Sequence, residues 1–282
     1  MTTFNPEISV EFFPPQTPEG VEKLRAVWTK LAVLHPTFCS VTFGAGGSTR
    51  DRTFDTVAEM RAAGLPAAPH LSCVGSTQDN IREILECYRS AGIRRIVALR
   101  GDLPSGMAES GEFRYANELV EFIRRETGDW FHLDVAAYPE GHPQAKSAED
   151  DLLNFKRKVE AGADSAITQF FFNADAYEHF VSDARARGVT IPIVPGIMPI
   201  ASYSKLARFA DGCGAEIPRW MRRKFEGFGD DADSVRAFGL DVVTELCGRL
   251  LERGAPGLHF YTLNQAGLTT EIVTRLGVFH YP

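Results

Sequence analysis

In Ala98-Leu99-Arg100-Gly101-Asp102-Leu103-Pro104 a guanidinium and a carboxylate flank a glycine, directly after the apolar run Ile93 to Leu99. A glycine lets backbone approach a ligand closely, Arg100 can bind an anion, and Asp102 can face reacting atoms. The same tripeptide also suits a salt-bridged turn at a strand end. Glu11 is the second candidate. In Val10-Glu11-Phe12-Phe13 its carboxylate stands among apolar side chains, where desolvation disfavours the charged form and makes a general acid; an inward glutamate paired with an arginine is the competing reading.

Further polar residues fall where apolar runs end: Thr42, His70, Tyr138 with His142, Gln169, and Thr262 with Asn264. The segment from Tyr138 to Lys146 leads into a helix capped by Ser147, on which Asp151, Asn154 and Lys158 share one face, with Arg157 beside them. Such a stripe either meets water or holds a ligand with hydroxyls and phosphates, carboxylate and amide on the former, Arg, Lys and His on the latter. Thr42 to Arg50 is glycine-rich, but Gly44, Gly46 and Thr49 miss the G-x-G-x-x-G spacing and no G-K-[ST] follows. It reads as a flexible loop over a cavity mouth, able to line a cofactor pocket with backbone groups.

The elements that must position these groups alternate. A strand over Ile8 to Phe13 stops at Pro14-Pro15, and a helix follows with Thr17 as cap and Pro18 at its first position. Strands are then predicted at 38–43, 67–74, 93–99, 130–138, 164–170, 191–196 and 257–262, separated by helices. Helical spacing is clear at Ile81, Ile84, Leu85 and Tyr88, and at Val235, Phe238, Val242, Leu246 and Leu250. The long connection Ile197 to Pro256 should hold two or three helices, one starting near Ser202 and one after Asp230 to Asp233. Strict alternation over 282 residues predicts an α/β fold, a single-domain (βα)8 TIM barrel over residues 1–282, with a doubly wound open sheet as the remaining option. A barrel gathers its chemistry at the C-terminal strand ends, where the polar residues fall.

Composition narrows the partners. A formal charge of -7 argues against nucleic-acid binding, and no apolar run reaches membrane-spanning length. Nothing at Met1 to Pro6 signals export, so the expected compartment is the cytoplasm. The five cysteines, Cys39, Cys73, Cys87, Cys213 and Cys247, are far apart and read as buried free thiols. Arg219 to Phe225 mixes basic and aromatic residues and reads as a solvated helix face. No metal site is expected, although Glu11, His70 and Asp102 could converge, and no strand end offers a Schiff-base lysine.

Six motifs, Glu11 to Pro15, Val41 to Arg50, Ala98 to Asp102, Ala137 to Glu140, Thr168 to Phe172 and Phe260 to Asn264, resemble those of methylenetetrahydrofolate reductases, in order and across nearly the whole chain. The resemblance implies a barrel in which bound FAD takes hydride from NADH or NADPH and passes it to 5,10-methylenetetrahydrofolate, with ping-pong kinetics. By that resemblance Glu11 is the general acid for opening of the folate ring, Asp102 tunes the flavin and stabilises the iminium cation, and Gln169 contacts folate or nicotinamide. Thr42, Ala45, His70, Arg100, Gly101, Asp102, Tyr115, Ala116, Tyr138, His142, Ala145, Asp151, Asn154, Arg157 and Lys158 fall on flavin-contacting positions. Tyr203 matches an aromatic that stacks on pterin or nicotinamide, a core or rim tyrosine being the alternative. Gln265 stands where the family usually has an arginine, on the substrate side, which leaves the folate tail or donor choice open. The implied assembly is a homo-oligomer, and without the additional domain of eukaryotic relatives no inhibition by S-adenosylmethionine is expected. Three rival readings are the same chemistry run as 5-methyltetrahydrofolate oxidation with another electron partner, a barrel that only carries folate or flavin, and a metal or Schiff-base lyase.

Overall fold

A computed structural model of the chain describes residues 6–44, 49–101 and 111–278. Ala45 and Asp102 lie outside the described residues. The strands are β1 (Glu7–Phe12), β2 (Phe38–Val41), β3 (Ala67–Ser72), β4 (Arg95–Leu99), β5 (His132–Ala137), β6 (Ser165–Thr168), β7 (Ile193–Val194), β8 (Gly196–Ile197) and β9 (Gly257–Tyr261). Helices α1 (Pro18–Leu31), α2 (Arg50–Ala62), α3 (Gln78–Ser90), α4 (Ala116–Thr127), α5 (Ala148–Glu160) and α6 (Ala174–Ala186) follow the first six strands. Then α7 (Tyr203–Cys213), α8 (Arg219–Phe228) and α9 (Ala232–Glu252) fill the long connection, and α10 (Gly267–Leu276) follows β9.

All strand pairs are parallel, in the order β7-β6-β5-β4-β3-β2-β1-β9-β8. The chain is therefore an α/β barrel, with β7 and β8 as the two halves of the one strand expected at 191–196. Pro195 divides them because it has no N–H to give a ladder. Below it the strand pairs with β6, above it with β9, and the Pro195 carbonyl itself accepts from His259 N at 3.0 Å.

Local chemistry explains the helix starts. The Thr17 and Ser147 hydroxyls accept from Gly20 N and Asp150 N, and the Asp231 carboxylate accepts from Ser234 N. Outward strand residues such as Ile8, Val10 and Phe12 join the helices in the main core, which includes Ile81, Ile84, Leu85 and Tyr88 of α3. Phe38, Ala68, Val97 and Ile167 form a separate small cluster, the apolar filling of the barrel interior. Opposite Val97 of this cluster, Asp134 is fully buried; burial favours its neutral form, but His132 and Arg95 outweigh this and hold it well below the usual carboxylate range.

On α8 Met221 and Phe225 face the core while Arg219, Trp220, Arg223 and Lys224 are exposed, the solvated face that was expected. All five cysteines are free, but only Cys39, Cys73 and Cys247 are buried; Cys87 is exposed and Cys213 half-buried. Among the described residues no helix is long and apolar enough to cross a membrane.

Candidate active site

At the barrel mouth the odd-numbered residues of β1 point inward, and their register with β9 brings Glu11 beside Tyr261 and Ser9 beside His259. The Glu11 Oε2 atom lies 3.2 Å from His70 Nε2 and 3.5 Å from His259 Nε2. Neither of those ring nitrogens has another partner, whereas His259 Nδ1 is 2.8 Å from the Ser9 hydroxyl. Burial alone would raise the Glu11 pKa, as the sequence suggests. The two histidines outweigh it and lower the value to about 2, so Glu11 is a carboxylate in the ligand-free protein. The sequence expectation of an acid protonated by desolvation is thus corrected, and the partners are histidines, not an arginine. Three potential ligands meet here, yet among the described residues no group of three is placed to hold a metal ion.

β4 pairs with the β3 strand that carries His70, and a cavity of about 640 Å³ opens over the ends of β4 and β5, between α4 and α5. Its size is within the range of cofactor sites. Arg100, Gly101, Tyr115, Ala116, Tyr138, His142, Ala145, Asp151, Asn154, Arg157 and Lys158 all line it. The polar stripe of α5 therefore meets a cavity and not open water. Gly101 has φ +82°, and a Cβ there would stand 2.8 Å from Ser72 Cβ, so only glycine fits. Arg100 is held by the Gln144 side chain at 2.6 Å, and the His142 backbone N–H donates to Asp151 at 3.0 Å, tying the loop after β5 to α5. The Tyr138 and His142 rings meet edge to face with centroids 4.6 Å apart.

Lys158 is the unusual member. Its ammonium donates to the Ala136 carbonyl, and burial lowers its pKa to about 8 against the weaker opposing pull of Asp151. Among the described residues no carboxylate forms an ion pair with it. A desolvated cation facing a cavity is the donor that an anionic ligand would satisfy.

Other sequence-selected residues stand outside the cavity lining. Thr42, after β2, accepts from the Thr53 hydroxyl through its carbonyl, and Gln169, after β6, accepts from Phe170 N through its own side chain at 2.9 Å. Tyr203 opens α7 with one ring face stacked on Phe225 at 5.0 Å, so part of its surface belongs to the core. Gln265 follows a tight turn, its N–H donating to the Thr262 carbonyl. Sequence reading missed His259, and in the cavity wall it missed Asn117, Gln144, Lys146 and Asp150. The alternation of Ser9 with Glu11 and of His259 with Tyr261 was the available signal for His259.

A family model described as Methylenetetrahydrofolate reductase matches residues 2–277. The chain is 44% identical over 272 residues to the 5,10-methylenetetrahydrofolate reductase of Escherichia coli (strain K12), covering 96% of this chain and 90% of that one. It is 40% identical to "Methylenetetrahydrofolate reductase (NADH) 1" of Arabidopsis thaliana, covering 96% of this chain and 48% of the plant protein. Among solved structures, a Clostridium thermocellum protein described as binding two copies of 5-methyl-5,6,7,8-tetrahydrofolic acid shares the fold with a TM-score of 0.66 at 20% identity, covering 97% of this chain and 93% of that one.

Proposed function

This chain belongs to the methylenetetrahydrofolate reductase family, and from that premise we propose that it reduces 5,10-methylenetetrahydrofolate to 5-methyltetrahydrofolate through bound FAD. NADH or NADPH is the electron donor, and donor and folate use the same site in turn, which gives ping-pong kinetics. The observation that carries this reading is a 640 Å³ cavity at the ends of β4 and β5, where β4 pairs with the strand whose His70 meets Glu11. When bound, FAD supplies a two-electron carrier between nicotinamide and folate.

The wall residues fit such a ligand. Arg100, Arg157, Lys158 and His142 offer charge and N–H donors to a pyrophosphate, Asp151 and Asn154 suit ribityl or ribose hydroxyls, and Ala116, Ala145 and Gly101 leave room for flat rings. Tyr115, Tyr138, Thr42 and His70 complete the proposed contacts, with Ala45 and Asp102 assigned from the family resemblance alone. Glu11 delivers the proton that opens the folate ring. Because it is ionised in the free protein, Glu11 must take up that proton before delivering it, and a folate that parts the carboxylate from either histidine raises its pKa and favours the acid form. Gln169 and the open face of Tyr203 contact the alternating substrates, and Gln265 meets the folate tail or the nucleotide without a charge. The protein works in the cytoplasm as a homo-oligomer of single catalytic barrels spanning residues 1–282. It uses small-molecule substrates and neither nucleic acid nor membrane.

Anaerobic titration of the purified protein with NADH and with NADPH, followed in the visible flavin band, tests this. Bleaching by one nucleotide and reoxidation by the folate are expected. A band bleached only by 5-methyltetrahydrofolate would mean that the reaction runs in reverse with another electron partner, and absence of the band would overturn the reading.

A further inference from the structure

The end of β1 has a problem that its own sequence cannot solve. Glu11 is the last β1 residue in register with β9, opposite Tyr261, and Phe13 is followed by Pro14-Pro15, which have no N–H to continue a ladder. Phe12 still pairs with Val41 of β2, and its carbonyl accepts from Thr42 N at 2.9 Å, but on the β9 side the ladder of the backbone that carries Glu11 ends at the site. The turn after β9 supplies what is missing. Asn264 Nδ2 donates to the Phe13 carbonyl at 2.9 Å, and Phe13 N donates back to Asn264 Oδ1 at 3.0 Å, so one carboxamide stands in for a strand residue. The Thr262 hydroxyl donates to the Glu11 carbonyl at 2.6 Å and accepts from Asn264 N at 3.2 Å.

Reaching back this way requires left-handed backbone. Leu263 and Asn264 have φ of 49° and 55°, and apart from His35 they are the only described non-glycine residues with positive φ. Asparagine tolerates this conformation; leucine avoids it, and such backbone persists only where its surroundings impose it.

Resting on the assignment of Glu11 as the acid, we propose that Asn264 is a positioning residue which, through both backbone groups of Phe13, fixes where the Glu11 carboxylate stands against His70 and His259. The groups that face Glu11 are His70 from β3 and His259 and Tyr261 from β9. The carboxylate reaches both histidines only while the end of β1 is held at this height.

Asn264→Gly keeps the left-handed backbone and removes the carboxamide; Asn264→Asp keeps the shape but turns the donor facing the Phe13 carbonyl into an acceptor. The first readout needs no turnover: the side-chain carboxyl ¹³C signal of Glu11, assigned by its loss in Glu11→Gln, followed above pH 4. In the parent protein it stays that of a carboxylate. In Asn264→Gly it should begin to protonate in that range, a rise of about two pH units or more, with a smaller rise in Asn264→Asp. The second readout is rapid mixing, in which reoxidation by folate should slow roughly 10–100-fold while reduction by nucleotide changes less than about twofold. A Glu11 titration unchanged in either folded variant overturns the proposal. Should Asn264→Gly fail to fold, Asn264→Asp carries the test. If the parent protein itself shows no folate-dependent reoxidation, the functional reading has failed, and the carboxyl titration still decides the role of Asn264.

Discussion

A glutamate pressed between two histidines titrates far from its ordinary range, and that shift has a sign. The folded pKa of about 2 lies below the ordinary 4.5, so the stabilisation is fully present above pH 4.5 and is lost as pH falls toward 2. Glu11→Gln should flatten the acid limb of the stability curve within that window, as read from denaturant midpoints at a series of pH values. It should also lower folate turnover by about 10²–10⁴-fold. Lys158 shifts for the opposite reason. Its folded pKa of about 8 lies below 10.5, so the unfolded chain binds more protons between those values and stability rises with pH across that window. Lys158→Met should abolish this slope, raise the melting temperature of the ligand-free protein and weaken flavin retention by about tenfold or more, measured by flavin release on dilution. Glu11 and His70 were legible in the sequence because polar residues at strand ends are conspicuous. His259 was missed, because its alternation with Tyr261 shows only that the two share a strand face, and what it meets there is set by the register that puts it opposite Ser9. The Glu11 electrostatics were misread for the same reason: burial is visible in a sequence, but the charges that meet across a barrel are not.

At the scale of the element, α5 is the wall on which the cavity depends. Its polar face was legible, yet a polar face alone does not say whether it meets water or a ligand; that is decided by where the helix docks. Here Lys158 reaches the Ala136 carbonyl and Asp151 accepts from the loop after β5, so the stripe is fixed over the end of that strand. The Ser147 cap holds the first turn, which carries Asp150 and Asp151. Ser147→Ala should cost about 1 kcal/mol, a fall of roughly 2 °C in melting temperature by calorimetry. Because the frayed turn is part of the cavity wall, flavin should also dissociate faster, whereas loss of a cap remote from the cavity, Asp231→Ala on α9, should lower stability without that second effect.

For the whole molecule, alternation of strands and helices was enough to read the barrel, and every predicted strand lies within a few residues of an observed one. How the barrel closes was not legible. The stretch 191–196 reads as one strand, and only the backbone pairing shows it changing partners at Pro195, from β6 to β9. Gly196, at that seam, has no free space on its inner side. A Cβ there would stand 2.1 Å from the Thr168 carbonyl oxygen and 2.6 Å from a Tyr261 ring carbon, while Gly196 N donates to the Thr168 hydroxyl and the Tyr261 hydroxyl donates to the Thr168 carbonyl. One obstacle is backbone, which cannot rotate aside, so Gly196→Ala must separate β8 from β6 or push Tyr261 toward Glu11, its register partner. Overpacking of this kind should cost about 3 kcal/mol, a loss of roughly 6–12 °C in melting temperature. Gly212→Ala within α7 meets nothing within 4 Å and should be neutral or slightly stabilising, since alanine favours a helix. An open sheet has no partner across that gap, so an equal response of the two variants in calorimetry would mean that the barrel does not close at β8. A large loss confined to Gly196→Ala, with slower folate turnover, would show that closure and placement of the acid depend on the same contact.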